Sequence, residues 1–116
     1  MTIHIPMRLP SAATLREHWA ARAKRVKMQR LAVAYYLGGG GPRPPFPVVV
    51  TLTRIAPRAL DGDNLQGAFK GPRDEVAAWL GVPDNDPRIE WRYDQRRDGP
   101  KVYAIEIALS SLGGTP

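Results

Sequence analysis

Val48-Val49-Val50-Thr51-Leu52-Thr53-Arg54-Ile55 is rich in β-branched residues and nearly continuous in apolarity. That composition predicts a strand covered on both faces or close to it, placed centrally in a sheet. Upstream, Gly38-Gly39-Gly40-Gly41-Pro42-Arg43-Pro44-Pro45 predicts a loop that ends any preceding helix, because Gly costs backbone entropy there and Pro lacks an amide donor. Before that loop, Leu15, Trp19, Ala23, Val26, Val33 and Leu37 fall within an arc of roughly 80° at about 100° per residue, which predicts an amphipathic helix from Thr14 to Leu37. Ile3, Ile5, Met7 and Leu9 alternate with polar or Pro residues, as in a half-buried strand ending at Pro10, and Pro6 marks it as an edge.

Downstream, Leu65, Phe69, Pro72, Val76 and Leu80 keep helical spacing from Asn64 to Gly81, with Gly81 as C-terminal cap. Pro72 predicts either a kink or a fresh helical start with Pro72 in its first turn. Ile89, Trp91 and Tyr93, a turn at Asp98-Gly99, and Tyr103, Ile105, Ile107 and Leu109 read as a β-hairpin. The expected class is α+β in the order β-α-β-α-β-β, a four-stranded mixed sheet with two helices packed on one face. Residues 1–112 are read as one domain and 113–116 as a frayed tail.

The chain of 116 residues has no cysteine, which excludes a disulfide framework, a thiolate metal site and a Cys nucleophile. It lacks a signal-peptide core and any apolar run near the ~20 residues of a membrane span, so a soluble, cytoplasmic protein with no membrane partner is expected. Its net charge is +6. Seven of the basic residues (Arg8, Arg16, Arg22, Lys24, Arg25, Lys27 and Arg30) lie between positions 8 and 30 against a single acid, Glu17, while the remainder balances ten against ten. Such clustering suits a polyanionic partner, since each neutralised phosphate releases counterions. A solvated helix face is the plain alternative. Trp19 and Trp79, on apolar helical stripes, are expected in the core and not as stacking platforms.

Asp61-Gly62-Asp63-Asn64-Leu65 falls where a buried strand hands over to a helix. Two carboxylates at i and i+2 beside a turn can converge on a hard cation. Asp84-Asn85-Asp86-Pro87 returns acidic groups just before the next strand, and adjacent strands are expected to bring the two loops together. On a regular helix Lys70 shares a face with Asp63, where it can stabilise charge on a transferring phosphate, and Asp74 one turn on can hold its ammonium. Turn and N-cap chemistry explains either acidic cluster taken alone. An EF-hand is excluded, because the loop lacks Gly at its sixth position and Glu at its twelfth. His4 and His18 are too far apart for a metal pair, and no serine has a base of its own.

The ordered set Asp61-Gly62-Asp63-Asn64-Leu65, Lys70 with Asp74, Leu80-Gly81, and Asp84-Asn85-Asp86-Pro87-Arg88-Ile89 resembles the RusA family of Holliday junction resolvases of phages and prophages. Leu15-Arg16-Glu17-His18-Trp19 with its basic continuation is similar to the N-terminal part of phage members. The resemblance implies a RusA-like fold and a Mg²⁺-dependent (possible substitute, Mn²⁺) endodeoxyribonuclease of DNA recombination and repair, which resolves four-way junctions by symmetric paired nicks as a homodimer without a small-molecule cofactor. It implies metal binding by Asp61, Asp63 and Asp86, with Asp84 as substitute or helper, and an essential lysine at Lys70. Many members carry that lysine at the position of Gly67, three residues earlier. Arg16, Arg22, Lys24, Arg25 and Lys27 are the candidate phosphate contacts, chosen from charge placement. The competing reading is a non-catalytic, phage-encoded protein that binds branched DNA on the same fold.

Overall fold

The structure is a computed structural model describing residues 1–11, 18–38 and 42–111. Along the chain lie β1 (Thr2–Ile5), α1 (Trp19–Gly38), β2 (Val48–Ile55), α2 (Gly62–Ala68), α3 (Lys70–Leu80), β3 (Ile89–Arg96) and β4 (Ala104–Ser111). The class is α+β, and the four strands form one mixed sheet in the order β1-β4-β2-β3. β2 is central as its composition predicts: it runs parallel to β3 and antiparallel to β4. β1 is an edge strand, antiparallel to β4, and it stops at Ile5 where Pro6 can no longer donate to the ladder. The alternation outlasts the strand, since Leu9 is still buried.

Register divides the sheet into two unlike faces. On one, Ile3, Ile107, Leu52 and Tyr93 form a row across all four strands, and Leu109, Val50 and Trp91 form the next. These rows join Val33 and Leu37 of α1, Leu65 and Ala68 of α2, Phe69, and Val76 and Leu80 of α3 in a single apolar core. The opposite face carries His4, Glu106, Thr53 and Asp94 across the same strands, and among the described residues no helix joins it in the core cluster. Among the described residues the helices therefore cover one face, and three are present instead of the two expected.

The extra helix comes from a break at Phe69, which is both the C-cap of α2 and the N-cap of α3. Phe69 is fully buried, so the core anchors the chain where its direction changes. Pro72 falls in the first turn of α3, where a missing N–H costs nothing. The face shared by Asp63 and Lys70 on one regular helix is thereby lost. Gly81 ends α3 in the left-handed conformation (φ 83°), and the Gly81 and Val82 amides donate to Ala78 and Ala77.

The expected β3–β4 hairpin does not form, because β2 lies between the two strands. At the end of β2, Ile55 pairs with Arg96 on one side and with Ala104 on the other. Residues 97–103 cross over that end, a span far longer than the two residues of a tight hairpin. α1 begins at Trp19 among the described residues, and residues 12–17, which include Leu15, and residues 112–116, the expected tail, lie outside them. No helix among the described residues is long and apolar enough to cross a membrane.

Candidate functional site

Asp61 enters α2 as its N-cap, with extended backbone, and its carboxylate accepts from the Asn64 backbone amide at 2.9 Å and from Asn64 Nδ2 at 3.0 Å. Asp63 lies exposed in the first turn, where negative charge suits the helix dipole. The turn is seated from behind by Gln95 of β3: the Leu60 amide donates to Gln95 Oε1 at 2.7 Å, and Gln95 Nε2 donates to the Leu60 carbonyl at 2.8 Å. Arg54, buried at the end of β2, adds a second tie. Its Nε donates to the Leu9 carbonyl at 2.8 Å and its Nη1 to the Arg58 carbonyl at 2.7 Å, and burial lowers its pKa.

A second cluster forms around Asp84. Its carboxylate accepts from Arg73 Nε at 3.0 Å and lies 3.7 Å from Lys70 Nζ. Arg73 also donates to Tyr93 Oη at 2.8 Å and stacks on the Trp91 ring, 4.6 Å from its centroid. The Trp91 indole N–H donates to the Asp84 carbonyl at 2.8 Å. Lys70 makes the expected pair with Asp74, Nζ to Oδ1 at 3.0 Å. That hydrogen bond raises the Lys70 pKa and keeps the ammonium charged. Sequence reasoning missed Arg73, whose position three residues after Lys70 on one helix was the available signal.

Asp86 is engaged by Arg88, whose Nε and Nη2 donate to its two carboxylate oxygens at 3.0 and 2.9 Å, while the Arg88 amide adds a third bond at 2.9 Å. Arg88 holds the Asp86 carboxyl below the usual carboxylate range. Its guanidinium also lies over the Phe46 ring.

The two acidic loops attach to opposite ends of the β2–β3 pair. The Val48 amide bonds the Arg88 carbonyl at the start of β2, whereas Leu60 bonds Gln95 near the far end of β3. Among the described residues, no three His, Asp or Glu side chains gather in a group that could hold a metal ion.

The basic segment forms the exposed side of α1. Arg22, Lys24 and Lys27 are exposed and Arg25 is half-buried, while Arg30 pairs with Glu75 of α3 at 3.1 Å. Arg16 lies outside the described residues. Trp19 is 76% exposed, which corrects the expectation of a core residue: it sits at the head of α1 and lines a groove of about 640 Å³ with Arg22, Val26, Lys27 and Leu31. Trp79 is half-buried, packs against the core and carries Arg43 on its ring. A smaller groove between α1 and the α2–α3 junction is lined by Arg22 and Arg25 together with Gly67, Lys70 and Gly71. No protein-family profile matches the chain, and no curated protein matches it.

Proposed function

We propose that the chain is a metal-dependent endonuclease of branched DNA, a RusA-like resolvase acting as a homodimer on four-way junctions. The observation that carries the reading is the shared groove: Arg22 and Arg25 of the basic helix line it together with Lys70 of α3 and with Gly67 and Ala68 of α2, the helix whose first turn bears Asp63. Cations suited to a phosphate backbone thus adjoin the segment that bears the motif carboxylates. An exposed Trp19 beside Arg22 and Lys27 adds a surface on which an unpaired base can stack.

The donor set fits a hard divalent cation. Asp61 and Asp63 are exposed oxygen donors on one turn, and Mg²⁺ commonly takes one or two carboxylates with water completing its shell. Asp61 and Asp63 would hold the ion, while Asp84 and Asp86, at the opposite end of the β2–β3 pair and engaged by guanidinium groups, would not reach it within one chain. When bound, the ion supplies a water of lowered pKa and offsets charge on the scissile phosphate. Lys70, kept cationic by Asp74, is suited to stabilise the negative charge that builds on the phosphate oxygens. Arg22, Arg25, Lys24 and Lys27 hold the backbone and orient the strand. Two nicks related by the junction's symmetry require two sites related by the same symmetry, which a C₂ dimer supplies.

A second reading, binding of branched DNA without cleavage, is favoured by the engagement of Asp84 and Asp86 with Arg73 and Arg88. Incubation of a labelled four-way junction with the protein in Mg²⁺ or in EDTA separates the two. Paired, Mg²⁺-dependent nicks that vanish in Asp63→Asn support the nuclease. Tight junction binding with no cut supports the second reading, and absence of both binding and cutting rejects each of them.

A further inference from the structure

We propose that β3 pairs antiparallel with β3 of a second copy of this chain, in a register centred on Tyr93, and that this edge is the dimer interface. The proposal supplies the surface for the homodimer of the reading above and rests on that reading only for what the dimer is used for. β1 and β3 are the two edges of the sheet. β1 has four residues and stops before Pro6, whereas β3 runs for eight without a proline. The Val48 amide bonds the Arg88 carbonyl and the Ala56 amide bonds the Arg96 carbonyl, so the even-numbered residues of β3 turn their backbone groups toward β2. Those of Trp91, Tyr93 and Gln95 therefore face outward. Among the described residues the Trp91 and Tyr93 backbone groups have no partner, and the Gln95 amide is met only by the side chain of Asp94.

Charges on an open edge ordinarily keep other strands away. Here they select one partner. Glu90, Arg92, Asp94 and Arg96 alternate in sign along the exposed face of β3 and cancel, in a chain whose net charge is +6. A second copy is thus repelled by the basic helix and not by this strand. With Tyr93 opposite the partner's Tyr93, and Trp91 opposite the partner's Gln95, the outward backbone groups meet as hydrogen-bonded pairs. The charged residues then fall at the closer, non-hydrogen-bonded positions, Arg92 against the partner's Asp94 and Glu90 against the partner's Arg96. Every facing charged pair is opposite in sign. Centring the register on Arg92 or Asp94 instead sets like against like, which is destabilising, and centring it on Trp91 or Gln95 pairs fewer residues of the strand. Arg92 already pairs with Glu90, and Arg96 with Asp98 and Glu106, so those contacts extend existing pairs. Asp94 gains most, because among the described residues it accepts only from the Gln95 amide and has no cation of its own. A two-fold axis at Tyr93 closes the assembly at two chains. The strands run opposite ways, so Gln95, which seats Leu60 beside Asp61, faces the partner's Trp91, the residue whose indole holds the Asp84 carbonyl. The dimer thereby sets the partner's Asp84 loop at the end of the sheet that carries Asp61.

Sedimentation equilibrium of the full chain over a range of concentrations, with junction nicking measured on the same samples, tests the interface. The wild type should show a monomer–dimer equilibrium that stops at the dimer. Asp94→Arg should weaken it roughly tenfold or more, because two facing pairs per dimer turn from attractive to repulsive. Arg92→Asp should do the same, and the double variant Arg92→Asp with Asp94→Arg should return to within about threefold of wild type. Both residues are exposed, so neither change disturbs the core. The chain has no cysteine, which lets crosslinking read the register. Arg92→Cys combined with Asp94→Cys should give a disulfide-linked dimer on mild oxidation, since facing Cα atoms at these positions lie about 4.5 Å apart. Arg92→Cys alone, which faces itself only in a like-charge register, should not. A monomer at every concentration, growth beyond the dimer, single variants that dimerise as the wild type does, a charge-swapped variant that stays weak, or a crosslinked Arg92→Cys would each overturn the proposal. The expected responses without junction nicking sink the nuclease and leave the interface standing. Nicking by a protein whose assembly ignores these substitutions sinks the interface and leaves the nuclease.

Discussion

Replacing Gln95 by Leu removes the two hydrogen bonds that seat the turn bearing Asp61 while nearly preserving side-chain volume. Both bonds are short, 2.7 and 2.8 Å, and both end on Leu60, the residue before the helix cap. Each is worth a net ~1 kcal/mol, and the half-buried site lets water reach part of the freed backbone, so the loss should total roughly 1.5–2 kcal/mol. For a domain of this size about 4 °C of melting temperature accompanies each kcal/mol, which gives a drop of roughly 6–8 °C. Thermal unfolding followed by circular dichroism measures the change. Hydrogen exchange at the Leu60 amide localises it, because the loss of protection should exceed that in the core strands. Junction nicking should fall further than stability does, since the turn carrying Asp61 and Asp63 loses its support. A melting point within about 2 °C of wild type with Leu60 exchange unchanged would refute the reasoning and leave Arg54 as the principal tie.

Glu106 sits on the uncovered sheet face, bonded to Arg96 Nη1 and Nη2 at 2.8 and 3.1 Å and lying 3.0 Å from His4 Nδ1. Arg96, and then His4, pull its pKa from the ordinary 4.5 down to about 2. Between those values the unfolded chain binds the extra proton, so stability from this group is present above pH 4.5 and is lost as pH falls toward 2. Glu106→Gln should therefore flatten the acid side of the stability profile in that window, and an unaltered profile would exclude the network as its cause. Asp61→Ala should cost about 0.5–2 kcal/mol through loss of the N-cap, whereas Asp61→Asn keeps most of the cap and removes only the charge. Urea melts paired with junction nicking separate the roles: undiminished Mg²⁺-dependent nicking by Asp61→Asn would remove Asp61 from the metal site. Gly71→Ala gains about 1 kcal/mol of helix propensity but crowds Gln29 and Val26, and overpacking of that kind costs about 1–3 kcal/mol. A net loss of up to about 2 kcal/mol is expected in urea titration, and a stabilised variant would show that α1 and α3 part easily.

The strands and helices were legible where the chemistry is local. Continuous apolarity marked β2 as central, Pro6 marked β1 as an edge, and Gly81 capped a helix. Pro72 announced either a kink or a fresh helical start, and the structure shows the second, with the break at buried Phe69. Pairing partners were not legible in the same way. A hairpin and a crossover over the end of β2 use the same two strands, and the choice depends on which of them the parallel β2–β3 unit leaves free to fill the other side of β2. Trp19 misled for a related reason. Helical periodicity registers an apolar stripe whether or not another element covers it, and at the head of α1 the stripe opens into a groove among the described residues.

At the site, residue types were legible and their partners were not. The aspartates follow from motif and turn chemistry, but each carboxylate's availability is set by cations that come from elsewhere in the chain. Asp84 is engaged by Arg73 through a side chain that also reaches Tyr93 and Trp91. Asp86 is held by Arg88 on both oxygens. A divalent cation competes with those guanidinium groups for the same lone pairs, and it meets no such rival at Asp61, whose bonds come from the amide and side chain of Asn64. Charge balance therefore ranks the acids in a way that motif order does not: Asp61 and Asp63 are the donors a metal meets first, and Asp86, at the opposite end of the β2–β3 pair, joins them only from a second protomer and only once Arg88 is drawn away. Arg88→Gln tests that ranking, because it should tighten Mg²⁺ binding if Asp86 belongs to the site, and leave it unchanged if Asp61 and Asp63 hold the ion alone.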